Sequence, residues 1–140
     1  MGWQTGVLVS TVEDIVENKG IKTAMLNISF SCHLPDCLEM PYKPVVLNAD
    51  DPAPESKCVY RLGGSSCLAG DYIGMGDFAF SEPLEIGDRV VFDDMIHYTM
   101  VKTTFFNGVK HPAIGMVTKK GEFVLLTEPG KYGDYKAKLG

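Results

Sequence analysis

The stretch Ile21-Lys22-Thr23-Ala24-Met25-Leu26-Asn27-Ile28-Ser29-Phe30 decides the fold class of this chain. Apolar side chains occupy its even-numbered positions from 24 to 30, so an extended backbone would place them on one face. The preceding residues 7–16 are rich in β-branched types, although Val12, Ile15 and Val16 also fit a helical stripe. Because Asn18-Lys19-Gly20 is a turn signal between the two stretches, we predict a β-hairpin.

Further strand signals follow along the chain. Residues 58–62 alternate between apolar and polar types, and Gly87-Asp88 supplies a turn before the β-prone residues 89–92. Residues 113–118 and 122–126 flank a Lys-Lys-Gly turn and predict a closing strand pair. We therefore expect six to eight short strands, which is typical of a mainly β fold, a β-barrel or sandwich.

Two segments are less regular. Residues 34–54 contain five prolines and are predicted to form an extended connection with at most a short strand at residues 45–47. Residues 93–106 fit a helical and a strand pattern equally well, so periodicity leaves this segment undecided. At 140 residues we expect one domain spanning residues 1–140.

Composition and charge narrow the function classes. The formal net charge of −5 disfavours nucleic acid and anionic membrane surfaces as partners. No apolar run approaches the roughly 20 residues that cross a bilayer, and no secretion signal opens the chain, so we expect a cytoplasmic protein. The four cysteines are expected to be reduced thiols. Their spacing lacks the tight pairs of most structural zinc sites, so we expect no metal.

The small-residue loop at residues 63–71 holds the first candidate for chemistry. Its Cys67 could be a reactive thiol, which requires an accessible thiolate in a polar setting. Composition alone favours the alternative, a small core residue. His33 near Asp36, and His97 near two aspartates, could be acid/base pairs, but most such pairs in sequences are structural.

A polar string in the undecided segment is the second candidate. It consists of Tyr98, Thr99, Lys102, Thr103 and Asn107. A phosphate group could satisfy such half-buried polar groups, although backbone groups are commoner partners. Nothing in the sequence around Lys102 predicts the burial that activates a Schiff-base lysine.

Several motifs in order carry a family resemblance. They are Gly64-Ser65-Ser66-Cys67-Leu68-Ala69-Gly70-Asp71, Pro83-Leu84-Glu85-Ile86-Gly87-Asp88 and residues 94–108, with Gly2-Trp3-Gln4-Thr5-Gly6, His33-Leu34-Pro35-Asp36, Met40-Pro41-Tyr42 and Tyr132-Gly133-Asp134-Tyr135-Lys136. Together they resemble the carboxy-terminal domain of the ornithine/diaminopimelate decarboxylase superfamily, the fold type III pyridoxal-phosphate enzymes. Within it they are most similar to the carboxynorspermidine decarboxylase subfamily.

The resemblance implies a two-domain enzyme of polyamine biosynthesis. Such enzymes place pyridoxal 5′-phosphate in a (β/α)₈ barrel that precedes this β domain, and they work as homodimers with active sites at the subunit interface. The implied substrate is a carboxylated triamine, carboxynorspermidine or carboxyspermidine. Because the barrel, with its Schiff-base lysine, is missing here, we expect this chain alone to be inactive.

Site residues follow from the same resemblance. Cys67 occupies the place of the cysteine that protonates the carbon from which carbon dioxide has left, and free thiols titrate at about pH 8.5, close enough to neutrality for such a role. Tyr98 matches the tyrosine that contacts the cofactor phosphate.

The predicted substrate contacts are Asp71, His33 and Asp36. Ornithine decarboxylases carry an acidic residue directly after the cysteine, whereas this chain has Leu68. We therefore do not expect ornithine to be the substrate. Asp71 would instead meet the amine of a longer substrate, because a carboxylate is the natural partner of such a cation. The competing hypothesis is a stand-alone, non-enzymatic β-domain binding module.

Overall fold

A computed structural model describes residues 5–140, so most of the Gly2-Trp3-Gln4-Thr5-Gly6 motif lies outside the described residues. The strands are β1 (Leu8–Asn18), β2 (Ile21–Leu26), β3 (Ala49–Asp50), β4 (Cys58–Gly63), β5 (Phe78–Phe80), β6 (Arg89–Phe92), β7 (Ile114–Val117) and β8 (Phe123–Thr127). The helices are α1 (Phe30–His33), α2 (Asp36–Glu39), α3 (Tyr98–Val101) and α4 (Tyr132–Leu139), with one 3₁₀ turn at Phe106–Gly108.

Six strands form one curled sheet in the order β3-β5-β4-β2-β1-β6, while β7 and β8 form a separate pair. The neighbours in the sheet are antiparallel except β2 and β4. The segment that leads into β3 also reaches the opposite edge, where Val46 bridges Phe92 and the Leu47 amide donates to the Val91 carbonyl at 2.8 Å. This joins the two edges of the sheet and confirms the predicted mainly β, barrel-like class.

The predicted β1–β2 hairpin is confirmed, with Asn18 paired with Ile21 across the turn. Lys19 and Gly20 have φ angles of 50° and 78°. Two successive residues in the left-handed region are typical of the tight turns that match strand twist. Glycine takes this conformation without the steric cost that other residues meet.

The core lies inside the curled sheet. Its largest fully buried side chains include Phe30 and Phe92, whose rings meet edge to face at a centroid distance of 5.8 Å. The even-numbered apolar residues of the opening stretch are all buried, as predicted. Burying each large apolar side chain contributes roughly 1.5–3 kcal/mol, so this face is a main source of the stability of the domain.

The opening stretch does not remain extended to its end. Strand β2 ends at Leu26, and Phe30 begins helix α1 instead of ending a strand. The reason is a helix cap, because the Ser29 side chain accepts a hydrogen bond from the Cys32 amide at 3.3 Å. Alternation correctly predicted the burial of the even-numbered apolar side chains, but not the burial of Ser29 or the end of the strand.

Other segments also depart from the prediction. Residues 34–54 contain α2 and β3, although an extended connection was expected, and the undecided segment forms helix α3. Strand β5 and helix α4 were not predicted, since a three-residue strand is too short to show periodicity. Strands β4, β6, β7 and β8 lie where the sequence predicts them.

Candidate active site

The loop that follows β4 is closed by Asp71, whose side chain is only 4% exposed. Its Oδ1 atom accepts hydrogen bonds from the Ser31 amide at 3.0 Å and the Ser29 hydroxyl at 3.2 Å. Its Oδ2 atom accepts one from the Ser66 amide at 3.0 Å. The loop backbone also closes on itself, because the Gly64 amide donates to the Asp71 carbonyl at 2.6 Å. Asp71 therefore ties the loop to helix α1.

Gly64 is required by this arrangement. A Cβ atom at this position would lie 2.4 Å from Oδ2 of Asp71, closer than real side-chain contacts allow. Gly70, on the other side of the same loop, has open space around it. Only the first of these two glycines is thus needed for close packing.

Cys67 lies at the exposed outer part of the loop. Its Sγ atom accepts a hydrogen bond from Nδ2 of Asn107 at 3.1 Å. All four cysteines are free thiols, and Cys32 and Cys37 are buried whereas Cys67 is exposed. The alternative that Cys67 is a small core residue is therefore wrong, and its thiol is accessible from outside the domain.

Tyr98 is the first residue of helix α3 and is 62% exposed. Its hydroxyl makes no hydrogen bond to any of residues 5–140. Because a phenol can donate to an anionic oxygen, this hydroxyl is available to a ligand outside the domain.

His33 and Asp36 do not pair with each other. The His33 ring, 3% exposed, accepts a hydrogen bond from the Ser29 amide at Nδ1 and donates from Nε2 to the Lys110 carbonyl at 2.9 Å. Burial, with a smaller contribution from His111, lowers the pKa of His33 below its ordinary value. A neutral ring with both nitrogens engaged stabilises the fold around helix α1, which agrees with the structural role that the sequence favours over an acid/base pair with Asp36.

Asp36, 8% exposed, forms an ion pair with Lys102 at 2.6 Å. Lys102 also contacts Glu39, so the lysine joins helix α2 to the end of helix α3. Hydrogen bonds to these two carboxylates raise the pKa of the Lys102 ammonium. This is the opposite of what a Schiff-base lysine requires, in agreement with the sequence-based expectation.

No group of three or more His, Cys, Asp or Glu side chains within residues 5–140 could hold a metal ion. No helix in this range is long and apolar enough to cross a membrane.

Comparison with known proteins connects this geometry to a family. Residues 4–96 match the family model described as pyridoxal-dependent decarboxylase, C-terminal sheet domain. This chain belongs to that family. The exposed thiol loop, residues 63–71, lies within the matched residues.

Individual relatives agree with the family model. A carboxyaminopropylagmatine decarboxylase from Synechocystis is 58% identical over 140 residues, covering 100% of this chain and 35% of the relative. A carboxynorspermidine/carboxyspermidine decarboxylase from Campylobacter jejuni is 43% identical, covering 96% of this chain and 37% of the relative. The chain thus spans about a third of the length of these curated relatives.

Solved structures show the same fold. The crystal structure of carboxynorspermidine decarboxylase from Campylobacter jejuni, complexed with norspermidine, superposes with a TM-score of 0.91 at 41% identity. The match covers 98% of this chain and 39% of that chain. Nearly the whole of this chain therefore has the fold of the matching part of that decarboxylase.

The described residues suit one part of a pyridoxal-phosphate site. Cys67 offers an exposed thiol and Tyr98 an exposed hydroxyl, and both can contact a ligand that is bound outside this domain. Lys102, which directly follows helix α3, is held by two carboxylates and does not fit the covalent attachment.

Sequence reasoning missed three residues of the site. Ser29 and Ser31 hold Asp71 from about forty positions away, and no local pattern in the sequence indicates this contact. Asn107 was noted in the polar string but not as a partner of Cys67. The Asn-Gly dipeptide at residues 107–108 is a turn signal that could have singled it out.

Proposed function

We propose that this chain is the carboxy-terminal part of a pyridoxal-phosphate-dependent decarboxylase, a carboxy-lyase of polyamine biosynthesis. The observation that carries the proposal is the exposed Cys67 loop within a chain that matches carboxylated-polyamine decarboxylases from end to end. The cofactor-binding barrel lies outside this chain, so the chain alone is inactive.

The proposed substrate is a carboxylated triamine, carboxynorspermidine or carboxyspermidine. A second candidate is carboxyaminopropylagmatine, which the 58% identity to the Synechocystis relative favours. Agmatine ends in a guanidinium group, whereas the spermidines end in an amine. Leu68, exposed directly after Cys67, offers an apolar contact to the alkyl chain that all three share.

Cys67 acts as the proton donor in this proposal. The bond between the α-carbon and the carboxylate breaks, carbon dioxide leaves, and the electron pair remains on the α-carbon. Pyridoxal phosphate, when bound, supplies the electron sink for this step. The Cys67 thiol then gives its proton to the α-carbon, and the sulfur takes a new proton from solvent. Its exposed position lets it reach a substrate held outside this domain.

Tyr98 is proposed to donate its hydroxyl to the cofactor phosphate, supported by its exposure and its lack of partners among residues 5–140. The substrate contacts of Asp71, His33 and Asp36 stay predictions. Each of these side chains is buried and engaged by other groups of the chain. Any contact with substrate would therefore compete with an existing hydrogen bond or ion pair.

The partners in this proposal are the barrel domain and a second copy of the enzyme, in the cytoplasm. The hairpin of β7 and β8 supports this, because it exposes apolar side chains that a soluble surface seldom leaves uncovered. These exposed side chains are Met116, Val117, Phe123, Val124, Leu125 and Leu126. A stand-alone binding module would leave this surface without an explanation.

The test is decarboxylation by the full-length gene product with each of the three substrates, beside Cys67→Ala and the control Cys58→Ala. Cys58 lies in β4, away from the exposed loop. We expect carbon dioxide release from one substrate and a fall of about 10²- to 10⁴-fold in Cys67→Ala alone. Unchanged turnover and product stereochemistry in Cys67→Ala would remove the assignment of Cys67. An upstream sequence that encodes no barrel would favour the stand-alone module.

A further inference from the structure

The side chains of Asn107 and Cys67 meet on the surface although forty residues separate them. Nδ2 of Asn107 donates to Sγ of Cys67 at 3.1 Å. Within residues 5–140 this is the one hydrogen bond that the sulfur makes. The position of the thiol therefore depends on where the turn that carries Asn107 is held.

That turn has a defined conformation. Asn107 has φ 55° and ψ 20°, and Gly108 follows with φ 71°. Asparagine adopts this left-handed conformation at lower cost than most residues other than glycine. The turn is closed by the Gly108 amide, which donates to the Phe105 carbonyl at 2.8 Å. The backbone thus fixes the position from which the Asn107 side chain leaves the turn.

Helix α1 holds both the turn that carries Asn107 and the loop that carries Cys67. The Cys32 carbonyl accepts a hydrogen bond from the Thr104 amide at 3.0 Å, and the Cys32 thiol donates to the Phe106 carbonyl at 3.3 Å. One residue earlier, the Ser31 amide holds Asp71 of the Cys67 loop. The turn and the loop are therefore fixed relative to each other through the same short helix.

We propose that Asn107 is a positioning residue for the Cys67 thiol. Its amide N–H occupies one side of the sulfur, so the S–H bond is directed away from Asn107 and toward an incoming substrate. After the proton has left, the same N–H stabilises the negative sulfur. Asn107 therefore assists proton release without touching the substrate. This inference rests on the proposed role of Cys67 as the proton donor.

Two variants distinguish the effect of the Asn107 side-chain amide from the effect of the turn conformation. Asn107→Gly keeps the left-handed backbone but removes the donor. Asn107→Asp keeps the shape and places an acceptor against the sulfur. Asn48→Gly is the matched control. Asn48 also has a left-handed backbone, with φ 64°, but it is exposed and lies far from Asn107 in the sequence.

The readout is the rate at which iodoacetamide alkylates Cys67 in the full-length holoenzyme, followed on its peptide by mass spectrometry across about pH 6–10. Decarboxylation kinetics are measured on the same samples. We expect the midpoint of the alkylation profile to move up by about 0.5–1 pH unit in Asn107→Gly and further in Asn107→Asp. We expect kcat to fall about three- to tenfold with little change in KM. Asn48→Gly should match the wild type.

An alkylation profile in both Asn107 variants that superimposes on the wild type would overturn the proposal, even if activity fell. A purely structural loss would lower activity without moving the thiol profile. Failure of the full-length protein to decarboxylate any of the three substrates would instead remove the proposed function. The alkylation profile would still decide whether Asn107 controls the thiol, so the two failures are distinguishable.

Discussion

The Oδ1 atom of Asp71 lies 3.0 Å from the backbone nitrogen of Ser31, forty residues earlier in the chain. This hydrogen bond joins the loop of the candidate proton donor to helix α1. The loop is rich in small residues and would be flexible by composition. The buried carboxylate of Asp71 holds the loop in one conformation and thereby fixes the position of Cys67.

Asp71→Asn should destabilise the domain. Three hydrogen-bond donors now surround the carboxylate. The amide of asparagine would point its own N–H groups at one of them, so a buried donor would have no acceptor. We expect a loss of about 1–3 kcal/mol in the free energy of unfolding. Thermal unfolding of the full-length enzyme measures this as a lower Tm, with faster hydrogen exchange at residues 63–71.

The matched control for Asp71→Asn is Asp51→Asn. Asp51 is also an aspartate in a loop, but its side chain is 87% exposed and pairs with Lys43 at the surface. Exposed ion pairs contribute little to stability. Equal Tm values for the two variants would contradict the anchoring role, and a large rise in KM for Asp71→Asn without a fall in Tm would favour the predicted contact with the substrate amine.

Gly64→Ala should displace the Cys67 loop. The added methyl group would overlap Oδ2 of Asp71 at 2.4 Å, so the carboxylate or the backbone must move. We expect a loss of about 1–3 kcal/mol in stability and a fall in turnover that follows the displaced thiol. Gly70→Ala in the same loop has open space and should behave as the wild type. If both alanine variants retain wild-type Tm and turnover, the loop is not packed as described.

Elements that depend on local sequence patterns could be predicted from the sequence, whereas elements that depend on contacts between distant residues could not. The β1–β2 hairpin was predictable because alternation and its turn are local patterns. Helix α1 was missed because the cap at Ser29 acts within residues whose alternation also indicates a strand. Strand β5 gave no signal because its three residues are positioned by pairing with β3 and β4.

The candidate site followed the same rule. Cys67 and Tyr98 could be singled out because they lie in the sequence motifs that carry the family resemblance. The burial of Asp71, His33 and Asp36 could not be foreseen, since their partners Ser31, Lys110 and Lys102 lie 40, 77 and 66 residues away. Sequence identified polar residues in these motifs but could not assign which of them face inward.

His33 predicts a pH dependence of stability. Burial lowers its folded-state pKa below the ordinary value of 6.5, so the unfolded chain binds a proton more readily than the folded one. The contribution of the neutral ring is fully present above pH 6.5 and is lost as the pH falls through the folded-state pKa. We expect the Tm of the full-length enzyme to decrease as the pH is lowered from 6.5 through the folded-state pKa of His33.

The variant His33→Gln should remove this part of the pH dependence, because glutamine does not titrate in this range. The control is His97→Gln, since His97 is exposed and makes no hydrogen bond through its ring to residues 5–140. The same slope of Tm against pH in the wild type and in His33→Gln would show that another group carries the dependence.

Tyr98→Phe should weaken cofactor binding and leave the fold intact. The hydroxyl makes no hydrogen bond within residues 5–140, and the ring is 62% exposed, so its removal costs the domain little. A lost hydrogen bond to a charged phosphate is worth about 1.5–3 kcal/mol, which raises the dissociation constant of pyridoxal phosphate by roughly 10- to 100-fold. Fluorescence titration of the full-length apoenzyme with the cofactor measures this change.

Tyr132→Phe is the matched control for that titration. Tyr132 is also an exposed tyrosine at the first position of a helix, 75% exposed at the start of α4. We expect its cofactor affinity to equal that of the wild type, so a deficit specific to Tyr98→Phe comes from the lost hydroxyl and not from the loss of any surface phenol. Equal affinity in all three proteins would leave the phosphate to residues of the barrel and withdraw Tyr98 from the cofactor site.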